Sequence, residues 1–245
     1  MDSNLFNIEP LHVAIDVGHA VLDGQTLALL VTDFIKFTLF MREQITAPYG
    51  EISAVVYKEL LRRSQGETGC RSSLMNRHIK FISESEALFA SLVTLFNDIR
   101  VSRLQIILGS SLSSFTEAFD IEFPRCRVPG INGGTMNKES DAVSRLFLRQ
   151  LINRFADTYP SNSIRCTLFV LALCDRDHCP KDFSPRHNIC VRPKKNATCA
   201  HIKFSGLDIV TQTDSQDANP MDISSDLLWF QSDVSVGSLR GVKIP

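Results

Sequence analysis

Apolar residues recur at helical spacing through four stretches of this chain and alternate at strand spacing through several shorter ones, with most helices ahead of most strands. Leu27, Leu30, Val31, Phe34, Ile35, Thr38, Leu39 and Met41 fall at three- and four-residue steps and predict a helix over 25–44, apolar on most sides and therefore central. The turn Ala47-Pro48-Tyr49-Gly50 ends it, because proline biases its predecessor away from helix and glycine permits a sharp turn. A second helix is predicted over 52–63, presenting Ile52, Val55, Val56, Glu59 and Leu60. After a polar loop over 64–73, a third helix over 74–99 carries Ile79, Ile82, Leu88, Phe89, Leu92, Val93, Phe96 and Ile99 as its buried stripe.

The fourth helix, over 139–159, is the most clearly two-sided. Phe147, Leu148, Leu151, Ile152, Phe155 and Tyr159 gather on one arc, with Arg145, Arg149, Asn153 and Asp157 opposite. Ser140 is the expected N-cap and Asp141 suits the positive end of the helix dipole. Val143 and Leu146 fall outside the arc and Phe147 sits at its edge, so this half of the helix either lies deeper in the fold or offers a second face to a partner.

Strands are predicted over 103–108, 117–123 and 164–174, the last apolar on both faces and so placed in the middle of a sheet. The segments 186–192 and 198–205 read as a strand pair joined through Pro193-Lys194-Lys195-Asn196. Residues 1–22 are weakly patterned, with alternation around His12–Val17 that allows a short strand. The polar stretch 211–225 is an expected tether, and 226–236, with the chain's one tryptophan, Trp229, is expected to return to a sheet edge as an added strand. Helices first and strands later give an α+β class in a single domain spanning 1–245.

Composition narrows the function classes. A formal net charge of −1 with 22% charged residues gives no global attraction to nucleic acid or membrane, and 44% hydrophobic residues suffice for a core. Seven cysteines at irregular spacings, without a recognisable targeting segment, suggest reduced thiols in a soluble intracellular protein. Cys174, His178, Cys179, His187, Cys190, Cys199 and His201 lie close in sequence, but zinc is normally held by close pairs of ligands on tight turns, and no such knuckle is present. No metal and no cofactor are therefore expected. A Cys179, His178, Asp175 triad can be composed, but nothing around it resembles a nucleophile signature, and the chain is expected not to be an enzyme. Gly109-Ser110-Ser111 follows a strand without a Walker lysine. Arg186, Arg192, Lys194, Lys195 and Lys203 form a basic cluster that suits either a solvated sheet edge or an acidic partner.

Five segments together carry a family resemblance: FIKFTLFMREQITAPY (34–49), RLQIILGSSLSSFTEAFDIEF (103–123) after the long helix, AVSRLF (142–147), CPKDFSPRHNICVRP (179–193) and DLLWFQSDV (226–234). In this order and spacing the chain resembles the comet proteins, spindle-checkpoint adaptors that bind the closed form of the HORMA protein mitotic arrest deficient two. The resemblance covers roughly two thirds of the chain and implies a HORMA-like fold, helices packed on a mainly antiparallel sheet, with the C-terminal strand as an internal pseudo-ligand carrying Trp229 and Phe230. It also implies partner contact through Phe147, with Val143 and Gln150 beside it, and through Met41, where the family carries a glutamine instead. Pro185 and Arg186, with His187, match a loop that contacts a hexameric AAA+ remodelling ATPase of the Pch-two family. The implied role is a non-catalytic adaptor in mitotic checkpoint silencing and meiotic HORMA turnover, in nucleus and cytoplasm, at kinetochores, spindle or meiotic chromosomes. Two other readings stay open: a self-closing HORMA scaffold of meiotic axes or repair, and a zinc-stabilised interaction domain.

Overall fold

The computed structural model describes residues 10–16, 22–66, 73–123, 138–155, 164–187, 193–205 and 227–242. Within them the chain is α+β, with helices α1 (Gly24–Met41), α2 (Tyr49–Ser64), α3 (Ser73–Asp98) and α4 (Lys138–Phe155). The strands are β1 (Leu11–Asp16), β2 (Val101–Ser111), β3 (Ser114–Glu122), β4 (Thr167–Asp175), β5 (Phe183–Arg186), β6 (Pro193–Ser205) and β7 (Leu227–Ser232). They form one sheet in the order β1-β6-β3-β2-β4-β7-β5. β6 runs parallel to both β1 and β3, and the other four pairings are antiparallel.

The helices cover one face of this sheet. Phe34, Leu88, Phe96, Phe147 and Leu151 from the helices join Leu104, Ile106, Phe119, Val170, Ile202 and Phe230 from the strands in the main core. Alternation along the strands sends Ile107, Ala118, Leu171 and Cys199 to the opposite face, where they form a smaller cluster with Phe115. The apolar character of β4 on both sides thus has its reason: it lies between β2 and β7.

Two sequence expectations about pairing are corrected. β5, which holds Arg186, does not pair with β6: it sits at one end of the sheet beside β7, while β6 lies between β1 and β3, and 188–192 of the expected strand pair lie outside the described residues. Parallel pairing joins strands far apart in sequence, which a local pattern does not reveal. The C-terminal strand, in turn, is not at an edge but inserted between β4 and β5, with Phe230 opposite Ala172 on one side and Pro185 on the other. The tether over 211–225 lies outside the described residues.

α1 ends before the proline turn, in a motif its sequence hides. The Gln44 amide donates to the Leu39 carbonyl (2.8 Å) and the Glu43 amide to that of Phe40 (3.0 Å), with Glu43 at φ 50°, a left-handed conformation usually given to glycine. The turn places Gln44, 1% exposed, at a junction. Its Oε1 accepts from the Cys166 amide (2.8 Å), and its Nε2 donates to the carbonyls of Arg42 (2.9 Å) and Ile164 (3.0 Å). Its own carbonyl accepts from the Leu239 amide (2.8 Å) and the Ser238 hydroxyl (3.1 Å). One residue therefore ties the end of α1, the approach to β4 and the C-terminal segment.

Replacing Gln44 with alanine strands the buried Arg42 carbonyl and Cys166 amide, each costing on the order of 1–3 kcal/mol. Urea unfolding of Gln44→Ala should show a loss of about 3 kcal/mol; a loss well below 1 kcal/mol would mean that the junction contributes little.

Candidate interaction surfaces

The buried seam of α4 is Ser144, Phe147, Leu151 and Phe155, a rotation from the arc read in the sequence. Ser144 takes a core position because its hydroxyl donates to Asp33 of α1 (2.5 Å), a partner that hydropathy does not register. Ile152, expected inside, is 44% exposed, and Leu146 is 42% exposed. The helix begins at Lys138, so Ser140 lies in its first turn rather than at the cap. Tyr159 and Asp157 lie outside the described residues.

This rotation overturns Phe147 as an accessible anchor. The ring is 1% exposed and packs against Phe34 (centroids 6.2 Å) and Phe204 (5.7 Å, stacked). Aromatic contacts of this kind are core contacts, reaching across α1, α4 and β6. Val143 is half-buried against the same core. Gln150 is half-buried and committed to the sheet: its Nε2 donates to the Asp16 carbonyl (2.5 Å) and its Oε1 accepts from the Asp16 amide (2.9 Å). One side-chain amide there occupies the outer backbone groups of the edge strand β1, as a neighbouring strand would.

What α4 does offer outward is a mixed face of Ala142, Arg145, Leu146, Arg149, Ile152 and Asn153, all exposed. Met41 is half-buried at the end of α1, beside Phe40, which is 43% exposed. Met41 lines a shallow apolar pocket with Phe34, Phe37, Thr38, Phe119 and Phe155, so the end of α1 and the end of α4 meet there. Beneath the pocket Arg42, 4% exposed, donates through Nε (2.7 Å) and Nη2 (2.7 Å) to the Glu117 carboxylate on β3. Burial pushes the Glu117 carboxyl up from its ordinary value, and the bidentate guanidinium opposes that push.

A second surface lies at the β5 end. Pro185, Arg186 and His187 are consecutive and exposed, and a proline is tolerated on a strand at the rim of a sheet. Arg186 Nε donates to Gln231 Oε1 on β7 (2.8 Å), so the residue's orientation depends on the C-terminal strand. Trp229 and Phe230 point to opposite faces: Phe230 is 1% exposed in the main core, and Trp229 is half-buried against the smaller cluster.

The face of the sheet opposite α1–α4 also carries a charged network. Arg103 and His201 both engage Asp120, the latter through Nδ1 at 3.0 Å, while His201 Nε2 lies 3.2 Å and Lys203 Nζ 2.9 Å from Glu122. Burial works against ionisation of Asp120, but hydrogen bonds from His201 and Arg103 and the charges on both outweigh it, and the carboxyl lies below its ordinary 3.8.

Of the cysteine and histidine cluster, Cys174 faces the helices and Cys199 the other side of the sheet. Burial, with nearby carboxylates, pushes both thiols up to about 12, so each stays protonated at neutral pH. Cys179 Sγ lies 3.9 Å from the carbonyls of Pro180 and Phe183, and His178 turns to Asp175 (3.6 Å). Cys190 lies outside the described residues, among which no three His, Cys, Asp or Glu side chains converge as a metal site.

No protein-family model matches this chain, and no curated protein matches it.

Two outcomes follow. Phe147→Ala should lower stability by about 3–5 kcal/mol, as truncating a buried phenylalanine does; a thermal midpoint unchanged from wild type would return the ring to the surface. The depressed Asp120 value means that its stabilisation is complete above the ordinary carboxylate range and is lost as pH falls through the lower folded value. Unfolding free energy should therefore drop below roughly pH 4, and Asp120→Asn should flatten that acid limb. An acid limb identical in the variant contradicts the assignment.

Proposed function

We propose that this chain is a non-catalytic adaptor that binds the closed conformer of a checkpoint HORMA protein and presents it to an AAA+ remodelling ATPase, promoting checkpoint silencing. The observation that carries the reading is the seating of the C-terminal strand between β4 and β5. The chain's own tail fills that slot, in keeping with the role of internal pseudo-ligand that the family resemblance implies for it. Recognition then falls to outward surfaces.

The partner face in this proposal is not the Phe147 ring but the outer side of α4, around Leu146 and Ile152, together with Phe40 and Met41 at the end of α1. Apolar residues set among arginines suit an interface with an apolar centre and a polar rim. Pro185, Arg186 and His187, on the far edge of the sheet, are assigned to the ATPase. Separate elements for the two partners permit simultaneous binding, which presentation requires. The adaptor supplies selectivity between conformers, and the energy for remodelling comes from ATP hydrolysis by the ATPase. The buried thiols of Cys174 and Cys199 stay protonated, which leaves both poor nucleophiles. A scaffold that clasps peptides from other proteins would need β7 to leave its slot first.

Pull-down with closed partner, with and without the ATPase and nucleotide, tests the division of labour. Leu146→Glu with Ile152→Glu should weaken partner binding by at least about tenfold, with stability nearly unchanged because both side chains are exposed. Arg186→Glu should keep the partner complex and lose the ATPase. Equal partner binding by the α4 variant, or joint loss of both partners in Arg186→Glu, would refute the assignment.

A further inference from the structure

The second helix carries an outward apolar seam, and that seam is complementary to itself. Tyr49, Ile52, Val56 and Glu59 form the inward side of α2, buried at three- and four-residue steps, and the helix packs on α3. On the outward side Gly50, Ala54, Tyr57 and Leu61 follow one another at steps of four, three and four, and all are exposed. Tyr57 is 52% and Leu61 59% exposed. Burial here runs against the interest of a lone chain: Glu59 occupies the inward row, paired with Arg63 at 3.0 Å, while Tyr57 and Leu61 face out.

Alternating steps of four and three are the spacing at which one helix presents a continuous seam to another. Small residues fill the first half of this seam and large ones the second. A Cβ at Gly50 would meet nothing within 4 Å, so that end has room for a large side chain from outside. Turned end for end about a two-fold axis level with Val55 and Val56, the same helix brings Leu61 opposite Gly50 and Tyr57 opposite Ala54, twice each. Every large side chain then meets a small one. The charges obey the same symmetry. Glu51, Lys58 and Arg62 are exposed and share one flank of the seam at about 100° per residue, and an antiparallel pair sets like flanks face to face. Glu51 falls between Lys58 and Arg62 of the second copy, within about 3 Å in height of each. A parallel pair would instead stack Tyr57 on Tyr57 and Leu61 on Leu61 and leave Gly50 and Ala54 facing a gap.

We propose that the outer face of α2 is a dimer interface, in which the helix pairs antiparallel with the same helix of a second copy. A two-fold contact requires one patch to complement itself, and α2 does so in both size and charge. A foreign helix would have to reproduce the two orders that α2 already carries. One helix from each side makes a small interface, below about 1,200 Å² in total, which is the class of weak and reversible association. The contact uses neither the α4 face nor the β5 rim, and it does not rest on the adaptor reading.

Sedimentation velocity of the full chain under reducing conditions, across the micromolar range, provides the test. Wild type should show a reversible monomer–dimer equilibrium. Leu61→Glu, or Gly50→Leu, which fills the space left for Leu61 of the second copy, should raise the dimer Kd by about tenfold or more, with thermal midpoints near wild type. Glu51→Lys alone, and Lys58→Glu with Arg62→Glu, should each weaken self-association. An equimolar mixture of those two charge variants should associate again, because each restores the charge the other has lost. A wild type that stays monomeric, a dimer indifferent to Leu61→Glu, or charge variants that remain apart when mixed overturns the proposal. So does a monomeric wild type that uses Leu61 to bind phosphatidylserine vesicles or a helical peptide of leucine and glutamate, since these assign the seam to lipid or to a foreign helix.

Discussion

A strand arriving last in the sequence, β7, completes the middle of one half of the sheet, and much of the molecule depends on it. Its backbone pairs with β4 on one side and β5 on the other, and among the described residues β5 has no other strand partner. Phe230 enters the main core from it and Gln231 orients Arg186. Beyond the strand, the Asp233 amide donates to Asp182, Val236 bridges to Leu168, and Leu239 and Val242 are buried near the α1–α2 turn. The tail is therefore held along its length by backbone groups and by Gln44, not by a single aromatic anchor. A sheet built this way loses its β5 end and part of its core together if the tail departs.

The described core carries charged pairs on both faces of the sheet. Beneath the helices, Arg42 and Glu117 form a buried bidentate pair; on the opposite face, Asp120 is held by Arg103 and His201. A buried pair contributes little net stability, but removing one member leaves the other charged and unsolvated, which penalises any register in which the two do not meet. Arg42 follows α1 and Glu117 lies on β3, so their pairing fixes where the end of α1 lies over the sheet. Gln150 performs a related task at the far edge, matching the backbone of Asp16. These contacts position α1 and α4, whose exposed ends form the proposed partner face.

What could be read from the residues alone divides along physical lines. The four helices and most strands were legible because their apolar periods extend over many residues, and Trp229 within an apolar run after a polar stretch marked the returning strand. Strand order was not, because β6 pairs in parallel with strands distant in sequence. Gln44 and Arg42 look like ordinary surface residues until the turn that buries them is known. The phase of α4 is hidden for the same reason: Ser144 is polar by type but buried by virtue of Asp33, and the rotation it implies carries Phe147 from the edge of the apolar arc to the middle of the buried seam and Ile152 outward. Pattern reports hydrophobicity, whereas burial also depends on partners supplied by other elements.

In the functional reading, a molecule whose slot is already filled by its own chain recognises others by its surface, and its constancy of shape is what lets it discriminate between conformers of a partner. Hydrogen–deuterium exchange of the free protein examines this most directly. The amides of 227–232 should exchange as slowly as those of the central strand β4, without any partner or peptide present. Exchange at the rate of open chain, with β4 still protected, would show that the slot is vacated in solution and contradict the account.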